Sequence, residues 1–147
     1  MEDNITDIYN DLIMEHSMNS YNKKKLDNAT CCEMGHNPNC GDEIEIQIKL
    51  KDNIIEDMAF TGHGCAISQA STSIMIDTLK GKTIEEAKNI IKTFIEMIKR
   101  ETKNEEDLKI LEDAIAFKNV SNMPARVKCA LLAWHTIEGL LNKKEDN

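Results

Sequence analysis

Residues 42–50 have the sequence DEIEIQIKL, in which apolar and charged or polar side chains alternate. This period of two is typical of a strand with one buried face and one face in water. Asp52 and Asn53 form a turn signal, and residues 54–61 return as a second strand. The two strands predict a β-hairpin and therefore an antiparallel sheet. The apolar positions of the first strand are Ile44, Ile46, Ile48 and Leu50.

Helical patterns flank this hairpin on both sides. Upstream, residues 4–17 carry apolar side chains three and four positions apart, which predicts an amphipathic helix. A short strand is predicted at residues 29–34, followed by a turn at residues 35–41 that contains Pro38. Downstream, a capping box formed by Thr83 and Glu86 opens one helix. Further helices are predicted over residues 66–79, 105–117 and 124–142.

The order of the elements gives the fold class. One helix comes first, a small antiparallel sheet follows, and the remaining helices come last. Strands and helices that are segregated along the chain are typical of an α+β fold. We therefore predict a single domain over residues 1–147, with about three strands packed against about five helices. The charged residues 143–147 are expected to form a flexible tail.

Charge and the N-terminal sequence restrict the location and the partners. The net charge is −8 without a basic stripe, which makes the chain a poor binder of nucleic acid and of anionic membranes. The N-terminus shows no basic and apolar segments of a signal peptide. No apolar run approaches the roughly 18 residues of a membrane span. We expect a cytoplasmic protein whose thiols stay reduced.

Cysteine is the residue type that suggests chemistry. An odd number of cysteines in a reducing compartment favours metal or sulfur chemistry over a disulfide framework. The adjacent pair near the first strand would point to opposite sides of that strand, so we interpret both as incidental thiols. The cysteines are Cys31, Cys32, Cys40, Cys65 and Cys129.

Three of these thiols and one carboxylate form a candidate zinc site. Cys40 and Asp42 flank Gly41, whose freedom of backbone conformation lets both side chains converge on one ion. Cys65 opens a helix, where backbone N–H groups favour a thiolate, and Cys129 lies near the start of the last helix. Three sulfurs and one oxygen suit four-coordinate Zn²⁺, whereas Mg²⁺ and Ca²⁺ prefer oxygen ligands.

Two other interpretations stay open from the residues alone. Free cysteine is among the most buried residue types, and no Cys-x-x-Cys pair is present, so these thiols could be structural. His63 or His36 could also replace Asp42 as a metal ligand, because both lie near the motif cysteines.

Three motifs surround the cysteines of the candidate site: NPNCGD at residues 37–42, GHGCAISQAS at residues 62–71 and ARVKCA at residues 125–130. They resemble, in order, the motifs of the SufU/IscU family, also called the NifU N-terminal-domain family. That family comprises scaffolds and sulfur acceptors of iron–sulfur cluster assembly. The resemblance covers nearly the whole chain and implies a SufE/NifU-like fold.

Two features resemble the SufU branch of that family. Lys128 stands before the third cysteine, where IscU-type proteins carry histidine. The 63 residues between Cys65 and Cys129 also form a longer separation than in IscU-type proteins, and we assign the extra length to residues 100–118.

The resemblance implies roles for individual residues. It implies that Cys40, Asp42, Cys65 and Cys129 hold Zn²⁺. It implies that Cys40 accepts persulfide sulfur from a SufS-like, pyridoxal-phosphate cysteine desulfurase after a partner histidine displaces Asp42. Arg126 resembles a family arginine that helps partner docking.

The implied function is a zinc-dependent sulfurtransferase that supplies downstream iron–sulfur assembly proteins. The alternative is an IscU-type scaffold on which iron–sulfur clusters are built on the same thiolates, and Lys128 counts against it. A third hypothesis is a non-catalytic interaction module that zinc stabilises.

Overall fold

The structure is a computed structural model that describes residues 2–18, 20–38 and 41–145, with side chains for 10–18, 20–38 and 41–143. The described strands are β1 (Cys31–Asn37), β2 (Asp42–Lys51) and β3 (Ile54–His63). The described helices are α1 (Glu2–Met18), α2 (Ala66–Leu79), α3 (Ile84–Ile98) and α4 (Pro124–Glu145), and a 3₁₀ segment spans Glu105–Asn122. The predicted α+β class is confirmed.

Within the described part of the chain, the strands form one antiparallel sheet in the order β1-β2-β3. The central strand β2 buries alternate side chains from residue 42 to residue 48, because its apolar face packs beneath the helices, and Gln47 on the other face is buried as well. Asp42 has the same parity as the buried isoleucines of β2 and is itself 0% exposed, whereas Glu43 is exposed. The isoleucines concerned are Ile44, Ile46 and Ile48.

The core lies between this sheet and the helices. Trp134 of α4 is completely buried and stacks on Phe94 of α3, with ring centroids 3.9 Å apart and an interplanar angle of 8°. This contact joins two helices through large apolar surfaces and places Trp134 in the core. None of the helices in the described ranges is long and apolar enough to cross a membrane.

Polar side chains hold the end of α1 against α2. His16 is hydrogen-bonded through Nδ1 to the Ser73 hydroxyl at 2.7 Å. Tyr21 donates its hydroxyl to Asp77 Oδ2 at 2.6 Å, and this hydrogen bond to a carboxylate raises the pKa of Tyr21 to about 12. His16 is therefore a structural histidine between two helices.

Local capping signals predicted the helix boundaries well. The predicted helix 66–79 is α2 (Ala66–Leu79). The Glu86 N–H donates to Thr83 Oγ1 and the Thr83 N–H donates to Glu86 Oε1, both at 3.1 Å, which confirms the capping box. The hydrogen bond from the Thr83 backbone N–H also lowers the pKa of Glu86.

The first strand is longer than predicted. The turn expected at residues 35–41 begins only after Asn37, because residues 35–37 pair with β2. Gly35 lies opposite Ile44, and Asn37 lies opposite Asp42. Pairing with β2 extends β1 through Gly35 as far as Asn37. The predicted turn is therefore wrong over residues 35–37.

The C-terminal half also departs from prediction at two places. The helix predicted at 105–117 is a 3₁₀ segment that reaches Asn122 and is broken at Glu112, where φ is 51°. The last helix, predicted to end at residue 142, continues to Glu145, and the flexibility predicted for residues 143–147 stays a prediction. Lys143 Nζ donates to Glu33 Oε1 of β1 at 2.9 Å, and this contact extends the helix. Residues 146–147 lie outside the described residues.

Candidate metal centre

Three predicted ligands meet at one end of the sheet. Asp42 is the first residue of β2, Cys65 is the residue before α2, and Cys129 lies in α4. One ligand atom from each, a carboxylate oxygen and two sulfurs, lies within 4.8 Å of the other two. Cys40, the fourth predicted ligand, lies outside the described residues, so its place in the site stays a prediction.

Asp42 offers an oxygen without a protein partner. Its Oδ1 accepts a hydrogen bond from the Cys65 backbone N–H at 2.8 Å. Its Oδ2 is buried and accepts no hydrogen bond from the residues the structure describes. A buried carboxylate oxygen without a partner is costly, and coordination to a cation satisfies it. The second oxygen of Asp42 is therefore the natural ligand atom.

Cys65 occupies the N-cap position of α2. Its sulfur accepts a hydrogen bond from the Ser68 N–H at 3.4 Å. The first backbone N–H groups of a helix have no partner within the helix and favour an anion nearby. The structure therefore places the Cys65 sulfur at the start of α2, as the sequence predicted. Cys129, in contrast, is completely buried within α4.

Ser71 fixes the distance between the two helices that carry these cysteines. Its hydroxyl donates to the Ala130 carbonyl oxygen at 2.7 Å and accepts the indole N–H of Trp134 at 2.9 Å. Ala130 follows Cys129 directly, and Ser71 lies on the helix that Cys65 caps. A buried hydrogen-bonded bridge at this point holds the two sulfurs at a constant separation.

We predict that Ser71→Ala lowers the free energy of unfolding by about 2 kcal/mol, because the buried indole N–H of Trp134 loses its acceptor. Urea denaturation measures this change. Ser17→Ala removes an exposed hydroxyl at the end of α1 and is the control, with an expected change within about 0.5 kcal/mol. Equal midpoints for Ser71→Ala and the unsubstituted protein would contradict the role of the bridge.

Two glycines allow the chain to pass close to Asp42. Gly62 has φ of +115°, and a Cβ there would overlap the Glu43 carbonyl oxygen. A Cβ at Gly64 would lie 2.7 Å from Asp42 Oδ1 and 3.0 Å from Ser68 Oγ. The absence of these side chains lets the Cys65 N–H reach the carboxylate.

Ser68 is a site residue that the sequence did not reveal. The Ser68 hydroxyl is buried and has no hydrogen-bond partner in the described part of the chain. A Cβ added to Gly64 would contact both this hydroxyl and Asp42 Oδ1, so the two oxygens lie on the same side of residue 64. The available signal was its position three residues after Cys65, in the first turn of α2.

The histidines considered as ligands lie elsewhere. His63 is exposed, and its Nε2 lies 3.8 Å from Glu43 Oε2 on the open side of the sheet. His63 and Glu43 are opposite one another in the β2–β3 register, and opposite residues share a face. His36 is also exposed. Among the described residues Asp42, not a histidine, therefore joins the two sulfurs.

The remaining basic residues near the site are at the surface. Arg126 lies in the first turn of α4, where its N–H donates to the Met123 carbonyl oxygen at 2.8 Å. Its side chain and that of Lys128 are exposed, on the helix that carries Cys129. Both are accessible to a partner, and the docking role of Arg126 stays a prediction.

The donor set fits zinc. Two thiolates and a carboxylate would repel one another at this separation unless a cation balanced them. Tetrahedral zinc with Zn–S bonds of about 2.3 Å places its sulfurs about 3.8 Å apart. The three ligand atoms lie within 4.8 Å of one another, which is compatible with that spacing. Soft sulfur together with one oxygen favours Zn²⁺ over Mg²⁺ or Ca²⁺.

Fold and site together define an α+β domain with a thiol-rich metal-binding cluster at one end of a small antiparallel sheet. The chain belongs to the NifU-like N terminal domain family, which matches residues 8–138. The resemblance seen in the three cysteine motifs is thereby confirmed.

Two relatives and one solved structure match this chain over almost their full length. The zinc-dependent sulfurtransferase SufU of Bacillus subtilis is 41% identical over 97% of this chain and 95% of its own. The iron–sulfur cluster assembly scaffold protein IscU of Thermotoga maritima is 38% identical over 92% of this chain and 94% of its own length. The crystal structure of FiSufU from Fervidobacterium islandicum AW-1 superposes with a TM-score of 0.82, at 41% identity over 90% and 95% of the two chains.

Proposed function

We propose that this chain is a zinc-dependent sulfurtransferase of iron–sulfur cluster assembly. It takes persulfide sulfur from a pyridoxal-phosphate cysteine desulfurase and passes it to downstream assembly proteins. The observation that carries the proposal is the cluster of buried Asp42, half-buried Cys65 and buried Cys129, in which one carboxylate oxygen has no partner among the described residues. Similarity to the SufU protein of Bacillus subtilis supports it.

The residues that would hold Zn²⁺ are Cys40, Asp42, Cys65 and Cys129. Bound zinc would keep these cysteines deprotonated at neutral pH and contributes no redox chemistry of its own. Sulfur transfer needs a deprotonated and accessible acceptor thiol. Cys129 is completely buried, and the family resemblance implies Cys40 as the acceptor.

The transfer itself is a thiolate exchange. The Cys40 thiolate attacks the terminal sulfane sulfur of the desulfurase persulfide. A new S–S bond forms on Cys40, the S–S bond of the desulfurase breaks, and its cysteine leaves as a thiolate. Electrons and atoms balance without an added oxidant or reductant.

Asp42 is suited to be the ligand that exchanges. Its Oδ1 accepts a hydrogen bond from the Cys65 N–H, so the carboxylate would keep a charge-assisted partner if its Oδ2 gave up a bound cation. An incoming histidine of the desulfurase, which the family resemblance implies, would take the vacated position and release Cys40.

A second function is favoured by the similarity to the scaffold protein IscU of Thermotoga maritima. The same thiolates would then hold an iron–sulfur cluster. The position before the third cysteine carries Lys128 in place of the histidine of IscU-type proteins, and its side chain is exposed. A lysine ammonium is a poor metal ligand, so sulfur transfer is the better-supported function.

We expect the purified protein to contain about one zinc per chain and to raise the turnover of a cysteine desulfurase. Metal analysis and a sulfide-release assay measure the two quantities. Zinc removal by a chelator is expected to abolish the stimulation and lower the thermal midpoint, because the buried anionic groups lose their counter-ion.

Equal stimulation by the zinc-free protein would contradict the proposed function. A cluster that forms on the protein during anaerobic reconstitution and then moves to an apoprotein would favour the scaffold instead.

A further inference from the structure

The two edges of the sheet differ. The outer edge of β3 is covered, because Phe60 donates its N–H to the Asn22 carbonyl oxygen at 3.0 Å and accepts the Lys24 N–H at 2.9 Å. Strand β1 is the opposite edge, and within the described ranges no strand pairs with its outer side. An uncovered edge is a template for another extended chain.

A groove of about 530 Å³ follows this edge between β1 and α4. Four consecutive residues of β1, Met34 to Asn37, line it. Met34 and His36 are exposed, whereas Gly35 and Asn37 face α4 and are buried. Since side chains from both faces of the strand line the groove, it runs along the strand's outer edge.

The wall contributed by α4 is apolar with a basic end. Leu131 and Leu132 supply the apolar surface. The titratable side chains in the lining are His36, Lys128 and His135, and the formal charge among them at pH 7 is the positive charge of Lys128, in a protein whose net charge is −8. His135 lies 3.4 Å from Glu138. A local basic surface on an acidic protein attracts an acidic partner and repels a second copy of the same chain.

The groove ends beside the metal centre. Asn37 pairs with Asp42 across β1 and β2, and Lys128 precedes Cys129 in α4. A chain laid along β1 would therefore bring the rest of its protein to the proposed sulfur-accepting site.

We propose that the outer edge of β1 binds an extended acidic segment of the cysteine desulfurase as a fourth strand of the sheet, an inference that rests on the proposed function. Backbone hydrogen bonds to residues 34–37 supply affinity. Alternate side chains supply specificity, with apolar residues against Leu131 and Leu132 and a carboxylate beside Lys128.

Hydrogen–deuterium exchange tests the pairing directly. With the zinc-loaded protein and the desulfurase of the same organism, exchange of the backbone amides in residues 34–37 is expected to slow, because outward N–H groups acquire acceptors. Contact at the metal centre alone would slow exchange around Cys65 and leave the edge of β1 unchanged, and that result overturns the inference.

Charge reversal supplies the second test. Lys128→Glu is expected to raise the protein concentration for half-maximal desulfurase stimulation about tenfold, with the maximal rate retained. Met34→Glu, at a residue 52% exposed, is expected to act in the same direction without affecting the fold. Lys92→Glu is the matched control, because Lys92 is an exposed lysine of α3 outside the groove. It should change the protein concentration for half-maximal stimulation less than about twofold.

The outcomes separate the two proposals. If the unsubstituted protein stimulates the desulfurase, and the groove variants match it with no protection of β1, the edge inference is wrong and sulfur transfer stands. If residues 34–37 are protected but stimulation is absent, edge pairing is supported and the proposed function fails. Zinc content and circular dichroism equal to those of the unsubstituted protein show that each variant is folded.

Discussion

A Cys40→Ala variant is expected to leave the cysteine desulfurase at its unstimulated turnover, so that the whole effect of this protein is lost. The reason is chemical: alanine has no sulfur to attack the persulfide, and neither sulfur of the cluster replaces it. Cys129 is completely buried, and the Cys65 sulfur is engaged at the N-terminus of α2. The measurement is sulfide or alanine release by the desulfurase with cysteine as substrate.

Cys32→Ala is the matched control for this experiment. Cys32 is exposed on β1 and was interpreted as an incidental thiol, so its loss is expected to leave stimulation unchanged. Mass spectrometry after one turnover should find the added sulfur on Cys40 and not on Cys32. If Cys40→Ala still stimulates the desulfurase fully, another residue accepts the sulfur and the assigned role is wrong.

Local signals in the sequence predicted most of the fold. The alternation of Ile44, Ile46 and Ile48 fixed which face of β2 is buried, and the Thr83–Glu86 capping box fixed the start of α3. The errors lie where distant residues determine the structure. β1 continues to Asn37 because β2 provides pairing partners, which no local pattern around residues 35–37 reveals.

More of the candidate site could be predicted from the sequence than its residue types alone suggest. Asp42 has the parity of Ile44, which places its carboxylate on the buried side of β2, whereas His63 lies opposite the exposed Glu43. The alternation of side chains along β2 is visible in the sequence, and it favours Asp42 over His63 as the metal ligand. The contribution of Ser68 could not be predicted, because it depends on how closely residues 62–64 approach β2.

Gly64→Ala is expected to weaken zinc binding by about 10–100-fold, although residue 64 offers no ligand atom. The added methyl would lie 2.7 Å from Asp42 Oδ1, closer than real Cβ contacts come, and 3.2 Å from Asp42 Cγ, which is a tight contact. The carboxylate is the end of a flexible side chain, so it moves before the backbone does. Competition with a fluorescent zinc chelator measures the affinity, and urea unfolding should show a loss of about 1–3 kcal/mol.

Gly139→Ala separates this effect from the general consequence of replacing a glycine. Gly139 lies within α4 with no atom within 4 Å of an added Cβ, so its replacement should stabilise the protein by about 0.5–1 kcal/mol and leave zinc affinity unchanged. Asp42→Asn complements it, because the amide oxygen still accepts the Cys65 N–H while the second position loses its charge. Similar losses of zinc affinity in Gly64→Ala and Asp42→Asn would show that the position and the charge of one carboxylate hold the metal. Unchanged affinity in both would remove Asp42 from the ligand set and leave the exchange step without its displaced group.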